Sequence, residues 1–352
     1  MSSDEPDEQL CTQLRGDLLA ASRRVPARRH LIQTWELSSV ERWFYPDGSS
    51  LICKIAVAPF TSEATVLRAL NNQQAPVPLL NGYTMRPNGL GMLMEDLGEA
   101  SRTATLAEAA ATARWVHATA GIPNLPTFDE AGLARLPEQG LDALDELRRQ
   151  GRFTRDAEGI EAVLQRLAAT ARHRADGAER PPFGLCHGEF HRTSLHVSRT
   201  GCRLIDWAKA FTGPGLFDLA TWFGTRTPTD PRLLTKIIHA YVAAGGHPDA
   251  EADRGGLPAA RWALGWHRVW AAGWLLTTAA AGHHPASADL RNSQVVLRQL
   301  QGAVGLFGVP LSTSAGRPSL TTGRSSCSAL SSTLTPRPAT SAPPSEATGA
   351  RR

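Results

Sequence analysis

No stretch of the 352 residues stays apolar over the ~18 positions a membrane-spanning helix needs, because charges or prolines interrupt every candidate run. No membrane partner is expected. The opening residues, MSSDEPDEQL, lack both the basic start and the apolar stretch of a secretory leader. Cysteine is sparse, odd in number and never spaced C-x-x-C: Cys11, Cys53, Cys186, Cys202 and Cys327 stand apart. That argues against a disulfide framework or zinc ribbon and fits a reducing, cytoplasmic setting. Net positive charge is missing from the body of the chain. From Leu311 onward five arginines face one acid, Glu346, which accounts for the whole formal charge of +4 and leaves residues 1–310 neutral. A basic tail on a neutral body makes no folded nucleic-acid face, so no nucleic-acid partner is expected. The G-x-S-x-G elbow, the Walker A loop and a strand-borne G-x-G-x-x-G are absent too. Hydrolase, P-loop and Rossmann readings therefore lack their markers.

What is present suffices for a large core, since 42% of the residues are hydrophobic. Residues 30–100 read as strand-rich. The run LIQTWELSSVERWFYPDGSSLICKIAVA holds two or three strands around a Pro46-Asp47-Gly48 turn. A short helix, SEATVLRAL, and a buried strand, GLGMLMEDLG, follow. From Thr105 the pattern turns helical in LAEAAATARWVHATA, GLDALDELRRQ, GIEAVLQRLAATARHR and LPAARWALGWHRVWAAGWLLTTAAA. The expectation is an α+β chain of two lobes, a small antiparallel sheet lobe over 13–97 and a larger helical lobe over 98–310. Residues 1–12 and the Ser/Thr/Pro-rich segment 311–352 are expected to be disordered, having too little apolar surface to offset their ordering entropy. Nothing in the sequence defines an oligomeric state.

The segment LCHGEFHRTSLHVSRTGCRLIDWAKAFTGPGLFDLA, residues 185–220, carries the chemistry. A polar loop from His187 to Thr193 enters a hairpin, SLHV and CRLID, and Asp206 stands at its exit. Asp218 begins a helix after Gly213-Pro214-Gly215. Phosphoryl transfer needs one carboxylate to orient the attacking hydroxyl and another to hold magnesium on the phosphates, at a fixed distance. Zinc is a poor alternative for His187 and His191. A metalloprotease glutamate directly follows its first histidine on a helix, whereas Glu189 lies two residues on, in a loop. Trp262, Trp266, Trp270 and Trp274 recur every four residues and form a stripe. Core packing is its plain reading, and one or two rings walling an acceptor pocket is the sharper one. Asp129, Glu130, Glu138, Asp142, Asp145, Glu146, Asp156, Glu158 and Glu161 could receive ammonium groups of a polycation, or form a solvated helix surface.

In order and spacing this segment resembles aminoglycoside phosphotransferases and related small-molecule kinases. Their pattern is H-G-D-x-H-x-x-N, two short strands, then D-W-x-x-A-x-x-G-x-x-x-x-D-L-A. The chain has His187-Gly188-Glu189-Phe190-His191, Ser194, Asp206-Trp207, Ala210, Gly213 and Asp218-Leu219-Ala220. The resemblance, spanning roughly residues 30–300, implies a protein-kinase-like fold and transfer of the γ-phosphoryl group of ATP (or GTP) to a small-molecule hydroxyl. It implies further that Lys54, paired with Glu63, grips the phosphates. Asp206, assisted by Ser194, holds Mg2+, and Glu189 orients the acceptor hydroxyl. Met94, Glu95 and Leu97 become the hinge against which the base lies, and Ser38 and Ser39 the nucleotide-covering loop. His117 and His187 take structural roles, and Asp218 braces the loop. Glu189 and Ser194 depart from the family's Asp and Asn. The same residues also fit a non-catalytic nucleotide-binding member of this fold.

Overall fold

Helix α1 (Glu8–Ser22) opens the described part of the chain, and its buried Cys11, Leu14 and Leu18 fall on one side at helical spacing. That seam needs a partner and finds it in the outer face of a sheet, packing with Trp43, Cys53, Ile55 and Leu93. The disorder expected through residue 12 is thus corrected from Glu8 onward, because docking supplies the burial that the polar opening lacks. The computed structural model describes residues 8–35, 37–119, 121–199, 201–222 and 230–310. The tail expected to be disordered, 311–352, lies outside them.

The sheet comprises β1 (Arg28–Trp35), β2 (Ser38–Phe44), β3 (Ser50–Val57), β4 (Leu80–Arg86) and β5 (Gly89–Glu95), all antiparallel in the order β1-β2-β3-β5-β4. Helix α2 (Glu63–Asn72) comes between β3 and β4. Strand alternation decides which side chains reach the site. On β3, Cys53 and Ile55 point to α1, while Ile52 and Lys54 point the other way, Lys54 lying opposite Val40 of β2 and Met92 of β5. The expected turn is present at Pro46-Asp47-Gly48. Gly48 has φ +81°, and Asp47 accepts bonds from the Ser49 backbone and hydroxyl.

Past β5 the chain enters the helical lobe. Helix α3 (Leu106–Ala118) starts with a reciprocal Thr105–Glu108 capping box. Then come α4 (Glu130–Arg149), α5 (Ala157–Ala175), β6 (Phe183–Cys186), and the hairpin β7 (Leu195–Ser198) and β8 (Gly201–Leu204). Strand β9 (Phe211–Pro214) pairs with β6 and leads into α6 (Leu216–Thr221). Helices α7 (Pro231–Ala243), α8 (Ala259–Ala280) and α9 (Asp289–Phe307) complete the described residues. One continuous core joins the inner sheet side, through Val66, Leu67 and Met92, to Trp207 and the helices.

Candidate active site

A cavity of about 280 Å³ opens between the inner face of the sheet and the β7–β8 hairpin. Val40, Ile52, Leu67 and Met94 give it apolar walls, and Lys54, Glu63 and Asp206 form its charged end. Lys54 Nζ lies 2.7 Å from Glu63 Oε2 and 2.6 Å from Asp206 Oδ1. Burial alone would discharge this ammonium, but the two carboxylates hold it protonated well above the usual lysine range. Burial raises Glu63 despite its lysine partner. At Asp206 burial again opposes ionisation, yet Lys54 draws the carboxyl below its usual range. The Asp206 backbone, at φ +69°, is in the left-handed region, a strained setting common where a side chain must be aimed.

Glu63 does more than hold the lysine. Its Oε1 accepts the backbone N–H of Trp207 at 3.1 Å, so a carboxylate of α2 is tied to the turn after Asp206. The hinge residues Met94, Glu95 and Leu97 all line the cavity, beside Asp96 and Gly98. Asp96 receives Ser50 Oγ and the Gly98 N–H and pairs with Arg42, which fixes the chain as it leaves β5.

The loop carrying Glu189 is held from below by α6. Asp218, fully buried, accepts the N–H groups of His187 at 2.8 Å and Gly188 at 2.9 Å, and Thr221 Oγ1 donates to the Phe190 carbonyl. His187 is buried, and its burial lowers its affinity for a proton. Its Nδ1 accepts the Glu189 N–H, which leaves Nε2–H to donate to the Ile205 carbonyl 2.9 Å away. One imidazole thus joins the loop before the hairpin to the segment after it. Gly188 has φ +82°, and a Cβ there would sit 2.2 Å from the Lys209 carbonyl oxygen. Only glycine allows these two backbones to meet.

Two expectations are corrected. Ser38 and Ser39 are buried in β2, paired with Ala56 and Ile55, and neither lines the cavity. Gln33, Trp35 and Val40 face the cavity from this corner instead. Ser194 is also outside the cavity lining. Its Oγ donates to the Glu189 carbonyl at 2.6 Å and meets His191 Nδ1 at 2.9 Å. The hydroxyl that was to assist the metal braces the loop. The donor set still fits magnesium, which commonly takes one or two carboxylates and completes its shell with phosphate oxygens and water. Asp206 is the protein ligand that fits.

Sequence reading missed His196, on β7, whose buried Nε2 has no protein partner among the described residues and which lines the cavity. It also missed Lys209, whose Nζ lies 2.7 Å from Glu189 Oε1. Lys209 occupies a variable position of the motif, which gave no signal there. Composition did give one, because the chain contains only three lysines, Lys54, Lys209 and Lys236.

The tryptophan stripe divides in two. Trp262 and Trp266 are fully buried, and both Nε1–H groups donate to the Arg174 carbonyl. Trp270 and Trp274 are half-buried, and Trp274 stacks on Phe60 at 5.7 Å. Between them His267 is buried, which depresses its pKa from 6.5 to about 4, with the nearby Arg268 adding to the effect. Folded protein therefore keeps His267 neutral where the unfolded chain would take up a proton. Its contribution is complete above about pH 6.5 and falls away as pH drops towards 4, by about 3 kcal/mol in total. Urea unfolding between pH 7 and 4.5 should show this loss, and His267→Gln should flatten it.

A small antiparallel sheet lobe, a helical lobe and a lysine–acid pair at the charged end of the intervening cavity define the two-lobed protein-kinase-like class. Within that class the chain belongs to the phosphotransferase enzyme family, whose model matches residues 38–255. Solved structures agree on the fold. The macrolide 2'-phosphotransferase of Brachybacterium faecium, at 16% identity and TM-score 0.52, covers 83% of this chain and 98% of its own. The choline kinase of Streptococcus pneumoniae, at 10% identity and TM-score 0.55, covers 83% and 99%. An amicoumacin kinase in complex with AMP-PNP and Ca2+, at 12% identity and TM-score 0.56, covers 85% and 96%. No curated protein sequence matches the chain.

Proposed function

We propose that the chain transfers the γ-phosphoryl group of ATP to a hydroxyl of a small molecule. The observation that carries this reading is Lys54, bonded to both Glu63 and Asp206 at the charged end of the interlobe cavity. Triphosphate oxygens entering there would meet an ammonium that is already charged and fixed. The base would lie between Val40, Ile52 and Met94, against the backbone of Met94 to Leu97. Asp206 would hold Mg2+, which supplies charge neutralisation on the phosphates. Glu189 would align the acceptor hydroxyl and take its proton as the oxygen–phosphorus bond forms and the bond to ADP breaks.

The acceptor we favour is not a polycation. Six of the nine acids in 128–161 are already engaged: Asp145 and Glu161 with Arg148, Glu146 with Arg149, Asp129 at a helix cap, Glu130 on the Gly177 N–H, and Asp156 on Ser293. The other three, Glu138, Asp142 and Glu158, are exposed. Titration calorimetry with MgATP, then nucleotide consumption with neutral sugars, macrolides, amino alcohols and aminoglycosides, tests the reading. Binding plus turnover on a hydroxylated acceptor is expected, with aminoglycosides the poorest group. Binding without turnover on any acceptor would favour the non-catalytic alternative.

A further inference from the structure

The Asp-to-Glu change at position 189 sets a geometric problem, and Lys209 meets it. A glutamate carries one more rotatable bond than aspartate, so its carboxylate swings through a wider arc. A shift of about 1 Å at a reacting group costs ~10²-fold in rate. Here Lys209 Nζ lies 2.7 Å from Glu189 Oε1. The same ammonium sits 4.9 Å from the ring centroid of Trp274 and 5.7 Å from that of Phe60, and those two rings stack. Contact with aromatic faces fixes a cation in place. The backbones carrying the pair are in direct contact as well, through the missing side chain of Gly188. Loop, turn, α8 and the β3–α2 connection thus converge on one carboxylate oxygen, and Glu189 Oε2 is left for the acceptor hydroxyl.

We propose that Lys209 is a positioning residue for phosphoryl transfer, holding the longer Glu189 carboxylate in the place where the family's shorter side chain would act, with Phe60 and Trp274 clamping its ammonium. The proposal rests on the kinase reading above. Lys209 lies outside the lining of the nucleotide cavity, so its removal should leave nucleotide binding alone. Lys209 makes no bond to Asp206 or Lys54, although its charge is felt at the Asp206 carboxyl.

The test is steady-state kinetics on the full chain, with MgATP and the best acceptor of the panel, or water if only hydrolysis is seen. Lys209→Met should lower kcat by ~10–10²-fold and leave KM for MgATP within about twofold. Lys209→Arg, which keeps a cation on the rings, should recover most of that loss. A double-mutant cycle completes the test: once Glu189→Gln is in place, adding Lys209→Met should cost nothing further. Unchanged kcat in Lys209→Met, fully additive losses, or a fall in kcat that tracks a rise in KM without rescue by arginine would each overturn the proposal and leave the kinase reading standing. No MgATP turnover by the wild-type protein with any acceptor or water would overturn both.

Discussion

Asp206→Ala is expected to abolish phosphoryl transfer, lowering kcat by ~10³-fold or more, the scale on which transition-state charge on a phosphoryl group is stabilised. In this reading Asp206 is the protein's carboxylate for magnesium and the second partner of Lys54. Removing it takes away the metal's anchor and frees the lysine to lean wholly on Glu63. The protein should still fold. The Asp206 side chain is more than a third exposed, and the Lys54–Glu63 pair behind it remains intact. Circular dichroism melting that stays cooperative, with lost turnover and lost magnesium dependence of nucleotide binding, is the expected pattern. Retention of more than about a tenth of wild-type kcat would remove Asp206 from the metal role.

The second large effect is on stability. Asp218→Asn changes almost no volume, yet it should destabilise the protein by about 3 kcal/mol, because an amide cannot accept both N–H groups that the carboxylate receives. Its NH2 would face a donor, from His187 or Gly188, in a fully buried site. A melting point lower by roughly 5–10 °C is expected. Activity should fall with it, since those N–H groups belong to the loop that holds Glu189. Thermal melts beside kcat measured well below the transition separate the two losses. A variant with wild-type melting would mean that the loop is held by other contacts, with the Thr221 hydroxyl on the Phe190 carbonyl the first to consider.

Much of this site was legible in the sequence because its parts are close together in the chain. Asp206 and Asp218 follow His187 at fixed intervals, and the hairpin between them has the alternation and turn residues of a local structure. Lys54, in the middle of β3, and Glu63, at the start of the next helix, were legible only through the resemblance that the downstream motif carries. The illegible parts depend on where distant segments meet. Helix α1 reads as a polar opening until the outer face of the sheet is there to receive Leu14 and Leu18. Strand β4 is mostly exposed and holds a glycine, so its apolar alternation is faint. Helix α4 begins at Glu130 rather than Gly140, and Pro137 inside it masks the continuity. Ser194 and a metal-binding asparagine look interchangeable as oxygen donors, and only the fold shows the serine turned to the Glu189 carbonyl. The four tryptophans of α8 share one spacing, but a step of four overshoots the helical turn, so the stripe slants and two rings fall in the core while two stay partly open.

The bond from the Trp207 N–H to Glu63 has a consequence for control. Helix α2 cannot swing outward in the manner of a regulated switch without releasing Lys54 and stranding a buried backbone donor, which costs about 1–3 kcal/mol for the donor alone. Lys54, helix α2 and the turn beyond Asp206 are therefore tied together through one carboxylate. Any outward movement of α2 would have to offset that cost.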